Sequence, residues 1–194
     1  ASAFQISGRT LRRQLAEAGT SYQKLEKEQA TEMINRLSSF FRNSLDDKTQ
    51  QWIPLQKELH HVDQYLGIEQ VRFGDKISIR KNYDDDAMLT LVPAMLLQPL
   101  IENAMQHGLE EKEGQGELSI SCTIEKEWLI INISDDGAGC DFEGKYFKEG
   151  VGLTNVKSRL QQLYGSKHEF SIENNDFGGV TVLIKLAINI GERK

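Results

Sequence analysis

The hydrophobic period of this chain changes at Gly74, and that change constrains the fold more than any single motif. Before Gly74, apolar residues recur at helical spacing. From about Thr10 to Leu45, the residues Leu11, Leu15, Ala18, Tyr22 and Leu25 alternate at steps of four and three, the narrow seam of a coiled coil. The phase slips after Leu25, and Met33, Leu37, Phe40, Phe41 and Leu45 continue it; Gly19-Thr20-Ser21 or Glu26-Lys27 could mark a joint. Trp52-Ile53-Pro54 closes the segment. A second helix is predicted from roughly Leu55 to Phe73, with Leu59, Val62 and Leu66 stepping along one face. Two such helices joined by a short link form a hairpin, and hairpins of this kind often pair into four-helix bundles. Residues 1–73 are therefore expected to be a helical dimerisation region, with packing onto the following domain as the alternative.

Beyond Gly74 the pattern is that of strands. "KISIRKNY" alternates, "LTLV" is a short candidate before Pro93, and "GELSISCTIEKEWLIINISDDG" reads as two strands joined at Glu125-Lys126-Glu127. "GVGLTNVKSRLQQLYG" has helical spacing at Leu153, Val156, Leu160 and Leu163, with Gly165 as its C-cap. "HEFSIENNDFGGVTVLIKLAI" is a final hairpin turning around Asp176 to Gly179. Pro93 is expected at a helix start, and Pro99 is expected to kink the helix it sits in. Strands in hairpins with the helices gathered elsewhere predict an α+β fold, a two-layer sandwich over residues 74–194.

Composition sets limits on function. The 194 residues carry a net charge of −6, with 39% hydrophobic and 27% charged residues, an ordinary globular mixture. An acidic chain without a long Lys/Arg block has no nucleic-acid footprint. Cys122 and Cys140 are too few for a disulfide framework or a thiolate zinc site and are expected as reduced thiols in a cytosolic setting. No run approaches a membrane span, and no signal peptide is visible. The chain begins "ASAFQ", so it reads as a fragment, and a membrane span would belong to sequence upstream of it.

One predicted helix is chemically unusual. In "LQPLIENAMQHGL", Leu97, Leu100, Ile101, Ala104 and Met105 want a core, yet Glu102, Asn103 and His107 sit among them, and Asn103 and His107 are four apart on one face. Two further polar features follow: "SDDGAGCD" at the end of an apolar strand, and "EGVGLTNV" opening a helix. Gly150 and Gly152 ahead of a helix let the backbone approach an anion where the helix supplies donors. Asp135 suits an exocyclic amine of a base, and Gly137 and Gly139 leave room for a flat ring. Asn103 offers a neutral oxygen suited to Mg²⁺, and His107 a donor to phosphate. Neither a Walker loop nor a Rossmann fingerprint is present. Taken alone, these residues describe a candidate nucleotide-binding α+β domain.

Taken together, "VPAMLLQPLIENAMQHGL", "ISDDGAGCD", "GVGLTNVKSRLQQLYG" and "GGVTVLIKL" resemble the ATP-binding domain of the LytS/YehU-type sensor histidine kinases, within the GHKL superfamily. "LQKELHHVDQYLGIEQVRFGDKI" and "RLSSFFRNSL" are similar to the helices that precede that domain. The resemblance implies a Bergerat-type sandwich with ATP and Mg²⁺ as ligands. It implies Asn103 as the Mg²⁺ ligand, Glu102 as a polariser of metal-bound water, and His107 at a phosphate. It also implies Asp135 on the adenine amino group beside Gly137 and Gly139. Gly150, Gly152 and Leu153 would form the phosphate-side turn under a lid at residues 141–149, and Thr181 would share a water with Asp135. Arg159 would be structural, and the role of Asn155 stays open. A response regulator or a partner kinase as partner, a dimer through the N-terminal helices, and a cytoplasmic position in an inner-membrane sensor protein are further implications.

One departure stands out. The family's phosphoacceptor motif, resembling "QINPHFLFN", falls on "QISGRTLRR", where Arg9 takes the place of the acceptor histidine. A guanidinium stays protonated and is no nucleophile toward a phosphate. His60 and His61 are expected on a solvated helix surface. ATPases of the gyrase or chaperone kind keep a hydrolytic Glu one turn before the Mg²⁺ ligand; here that position is Pro99, which offers no base. Two readings remain: a kinase core acting on a histidine of another chain, and a non-catalytic module that senses nucleotide or scaffolds a true kinase.

Overall fold

The computed structural model describes residues 50–110, 112–142 and 150–188. The seam over residues 10–45, Arg9 and most of the expected lid lie outside the described residues. In chain order the elements are β1 (Trp52–Pro54), α1 (Leu55–Phe73), β2 (Ile77–Tyr83), β3 (Leu91–Pro93), α2 (Gln98–Asn103), β4 (Gly116–Glu125), β5 (Trp128–Asp135), α3 (Val151–Tyr164), β6 (His168–Asn174) and β7 (Val180–Ala187). Beyond Asn103, α2 widens into a π-helical turn over Ala104–Leu109, marked by the Glu110 N–H donating to the Met105 carbonyl at 2.9 Å.

The main sheet has the order β2-β4-β5-β7-β6, and β1 and β3 form a small antiparallel pair. Strict alternation in β4 and β5 puts Leu118, Ile120 and Cys122 on the same face as Leu129, Ile131 and Ile133, all buried. Val182, Ile184 and Leu186 of β7 extend that face. Helices cover it, and burial there pushes the Cys122 thiol up to about 12. The opposite face is polar, with Ser119, Ser121, Asn132 and Ser134 along it. This is the two-layer α+β sandwich that the alternation predicts. The β4–β5 and β6–β7 hairpins also stand where expected, and Gly165 closes α3 at φ +56°.

Four expectations change. Helix α1 does not reserve its apolar stripe for a hairpin: Leu55, Leu59, Val62 and Leu66 are buried in the same core as the sheet residues. β1, just before α1, pairs with β3. His61 lies within that packed face and is only 5% exposed, while His60 next to it is solvent-facing. Pro93 ends strand β3 instead of starting a helix. Pro99 sits in the first turn of α2 and cannot kink it, because a missing N–H there would have had no intrahelical partner. In addition, β2 pairs with β4 in parallel, so these two strands are joined by a crossover through β3 and α2.

Candidate functional site

Strand β5 ends on Asp135, whose side chain points to the helix-covered face and is 5% exposed. Its Oδ1 accepts the N–H of Gly137 at 2.9 Å and that of Val180 at 3.3 Å. Oδ2 has no hydrogen-bond donor among the described residues. Burial is the main influence on this carboxyl and raises its pKa; the two backbone N–H groups pull it back, and the charge of Asp136 adds to the rise. The result is a buried carboxylate with one oxygen pinned and the other available as an acceptor.

Three glycines make room for it. A Cβ on Gly108 would lie 2.6 Å from Asp135 Oδ1, and one on Gly179 would lie 2.1 Å from the Asp135 carbonyl oxygen. A Cβ on Gly137 would meet the Gly108 carbonyl oxygen at 2.1 Å. The end of the π turn, the β5 terminus and the start of β7 thus converge at contact distance. Gly137 is one of the glycines the sequence singles out, whereas Gly108 and Gly179 carry no site expectation; Gly108 follows His107, and Gly179 stands two residues before Thr181. Gly139, at φ +71°, packs against the Gly178 carbonyl.

The loop after Asp135 is clamped by two consecutive asparagines. Asn174 pairs with both backbone groups of Cys140, accepting its N–H and donating to its carbonyl at 2.8 Å each. Asn175 donates to the Asp135 carbonyl at 2.8 Å and accepts the N–H groups of Phe177 and Gly179. Next to it, burial opposes ionisation of Asp136, but Lys112 and the Glu117 N–H outweigh it and hold that carboxyl below its usual range. Replacing Asn175 by alanine should cost about 1–3 kcal/mol, because three backbone groups lose their partner. Urea unfolding would read the loss, with faster amide exchange at Gly179; an unchanged midpoint would refute the clamp.

Thr181 stands on the other side of the sheet from the Asp135 carboxylate. It stands opposite Ser134 in the β5–β7 register, and its hydroxyl bonds Ser134 Oγ at 2.9 Å and Asn175 Nδ2 at 3.3 Å. Side chains alternate along a strand, so Thr181 faces away from the Asp135 carboxylate, and Val180 is the β7 residue on that side.

Helix α2 carries the other candidates. Asn103 is half-buried and its amide makes no hydrogen bond among the described residues. His107 is exposed one turn further on, within the π turn. Such turns replace i→i+4 bonding by i→i+5 and often occur at functional sites. From Asn103 to Gly108, which touches Asp135, the axial rise is roughly 7 Å at α-helical pitch. Glu102 points elsewhere: Gln98 Nε2 donates to its Oε1 at 2.7 Å. Its charge also helps raise the pKa of Tyr65 on α1, after burial and Glu69. Consecutive helix positions diverge by about 100°, so Glu102 looks toward α1 while Asn103 and His107 share another face.

Helix α3 begins beside this helix. Gly150 is its N-cap, accepting from the Thr154 N–H at 3.1 Å, and the first turn presents N–H groups without intrahelical partners. A Cβ on Gly152 would lie 3.3 Å from Pro99 Cβ, so that glycine serves close helix packing. Leu153 is buried in the core, which leaves only its backbone to face a ligand. Arg159 donates to the Ala94 carbonyl, the structural role expected of it, and Asn155 is exposed.

Comparisons with known proteins bear on the family and the fold. Residues 92–190 match the family model "Histidine kinase-, DNA gyrase B-, and HSP90-like ATPase", and residues 11–77 match "Histidine kinase". The sensor protein LytS of Bacillus anthracis is 33% identical over 178 residues, covering 86% of this chain and 30% of the relative. The sensor histidine kinase YpdA of Escherichia coli is 33% identical over 149 residues, covering 73% and 26%. The chain thus spans less than a third of the length of these relatives. Among solved structures, the histidine kinase domain of the Erythrobacter litoralis EL346 blue-light activated kinase aligns with a TM-score of 0.58 at 17% identity, over 91% of this chain and 92% of that one. The Acinetobacter baumannii kinase AdeS aligns at 0.54 and 19% identity, over 96% and 87%. Both are likenesses of fold.

Proposed function

The chain belongs to the LytS-type sensor histidine kinases, and on that footing we propose that it binds Mg-ATP and passes the γ-phosphoryl group to a histidine on a partner chain. The observation that carries this reading is the Asp135 carboxylate, buried in a cradle of glycines with Oδ1 pinned and Oδ2 left as an acceptor. An adenine amino group is the donor that Oδ2 suits, with Gly137 and Gly139 beside the ring and Val180 in the place expected for Thr181. The half-buried amide of Asn103 offers Mg²⁺ one neutral oxygen, which fits a cation that takes the rest of its shell from phosphate and water. His107 and the backbone N–H groups of Gly152 and Leu153, after Gly150, face the phosphates. Glu102, turned toward α1, is left out of this assignment.

Phosphoryl transfer needs mainly alignment and charge neutralisation. The bond from the β–γ bridging oxygen to the γ-phosphorus breaks and ADP leaves with the electron pair. An imidazole nitrogen of the partner forms the new N–P bond and gives up its proton. Arg9 favours transfer in trans over labelling of this chain. Arg9 also favours a second reading, a non-catalytic module that binds nucleotide and scaffolds a true kinase. In either case the chain would act on the cytoplasmic side, as a dimer through its N-terminal helices and upstream of a response regulator. Among the described residues no helix is long and apolar enough to cross a membrane.

The test is incubation with γ-labelled ATP, alone and with a homologous kinase carrying the acceptor histidine. Label on the partner is the expected result. Binding without transfer selects the scaffold, and no binding of ATP refutes both readings.

A further inference from the structure

We propose that Glu58 of α1 is a positioning residue for the Mg-ATP site: its buried carboxylate holds the turn that aims α2, and therefore Asn103. The inference rests on the assignment of Asn103 above.

Helix α2 starts poorly on its own. Its N-cap is Leu97, which has no side-chain acceptor, and no capping bond comes from within the helix. Glu58 supplies the acceptors from 39 residues upstream. Its Oε1 takes the Leu97 N–H at 2.8 Å, and its Oε2 takes the Met95 N–H at 3.0 Å. Burial raises the Glu58 pKa, and the backbone N–H groups of residues 95–98 act in the opposite direction. Glu58 is 1% exposed, the most enclosed charged side chain among the described residues. A carboxylate is an expensive group to bury for stability alone, since a well-packed apolar side chain in its place is often neutral or better.

Two further features mark the turn. Met95 sits at φ +59°, a left-handed conformation that side chains other than glycine seldom adopt. Such strain persists only where the surroundings over-determine it. From the other side, Arg159 of α3 donates to the Ala94 carbonyl, so the turn is gripped at its N–H groups by α1 and at a carbonyl by α3. The neighbouring helices set where α2 begins, and Asn103 lies five residues past Gln98. α1 also precedes the rest of the described domain in the chain, so a shift in α1 would reach the metal side of the site through this one side chain.

The experiment measures ATP binding to the purified chain with Mg²⁺ and in EDTA, for the parent, Glu58→Gln and Glu58→Asp. In the parent, Mg²⁺ should tighten binding. Glu58→Gln keeps the shape but turns an amide N–H toward a backbone N–H. It should lose about tenfold in Mg-ATP affinity, since losing a group that orients a metal ligand typically costs about 10–100-fold in metal affinity. Its affinity in EDTA, which depends on Asp135, should stay within about twofold. Glu58→Asp should recover part of the loss. Equal loss with and without Mg²⁺ would mean a purely structural role and overturn the inference, as would an unchanged Mg²⁺ dependence. If the Gln variant does not fold, the Asp variant is read by the same split; if neither folds, the inference is overturned. An absent Mg²⁺ effect in the parent itself would remove the Asn103 assignment, and this inference with it.

Discussion

Asp135→Asn is expected to weaken ATP binding by about two orders of magnitude while leaving the fold at least as stable. Oδ1 of an asparagine can still accept the N–H groups of Gly137 and Val180, so the β5 terminus keeps its anchors. The second atom changes from an acceptor to an NH₂ donor, which faces the adenine amino group as donor against donor. Losing a hydrogen bond to a charged group costs about 1.5–3 kcal/mol, and the repulsion adds to it. Guanine carries a carbonyl where adenine has its amine, so GTP should lose less than ATP. Titration calorimetry with the two nucleotides reads both effects, and a variant that binds ATP as tightly as the parent would end the assignment.

The pKa of Asp135 gives the same prediction a pH dependence. Burial raises it above the ordinary 3.8. The stabilisation linked to its protonation is complete below 3.8 and lost as pH rises through the higher folded value. At neutral pH the ionised group is therefore a cost to the fold, and removing its charge relieves that cost. For binding the sign reverses: acidification through the raised pKa protonates the acceptor, so ATP affinity should fall on that limb. The Asn variant should lack this titration, and its melting temperature at pH 7 should equal or exceed the parent's.

Gly137→Ala should fail in a different way, losing nucleotide binding and stability together. The new Cβ would lie 2.1 Å from the Gly108 carbonyl oxygen, 2.3 Å from its carbon and 2.5 Å from its Cα. All three are backbone atoms, so no rotamer change relieves the clash. Either the π turn or the 136–139 loop must move, and overpacking of this sort costs about 1–3 kcal/mol. Moving either one displaces a wall of the Asp135 cradle. Denaturant unfolding and nucleotide titration on the same preparation would show it. Full ATP affinity in this variant would mean that the close approach of Gly108 and Gly137 does not shape the site.

The candidate site was readable in parts. Asp135 stood out because an acidic residue ended an apolar alternating run and glycines followed it. Asn103 and His107 stood out because they interrupt a helix that otherwise wants a core. The face Thr181 takes was not readable, for a reason that applies to any strand: a shift of one residue turns a side chain to the other side of the sheet. Glu102 and Asn103 are neighbours in sequence, but adjacency along a helix is not a shared direction. Gly108, Gly179, Asn174 and Asn175 carry no local signal of their roles, since the residues they meet across the site, Asp135, Gly137 and Cys140, lie 27 to 44 residues away in sequence.

By itself, the order of residues determined the elements and their apolar faces: the alternation of β4, β5 and β7, the α3 stripe ending at Gly165, and the hairpin turn before Val180. Side-chain periodicity is local, so it survives in the sequence. Only the tertiary structure decided what covers each face. It placed α1 in the sheet's core, β2 parallel to β4, Pro99 in a first turn, and the Glu58 carboxylate on the N–H groups that begin α2. Those outcomes depend on backbone groups meeting across long stretches of chain, and backbone groups are the same at every residue, so the sequence does not say which of them will meet.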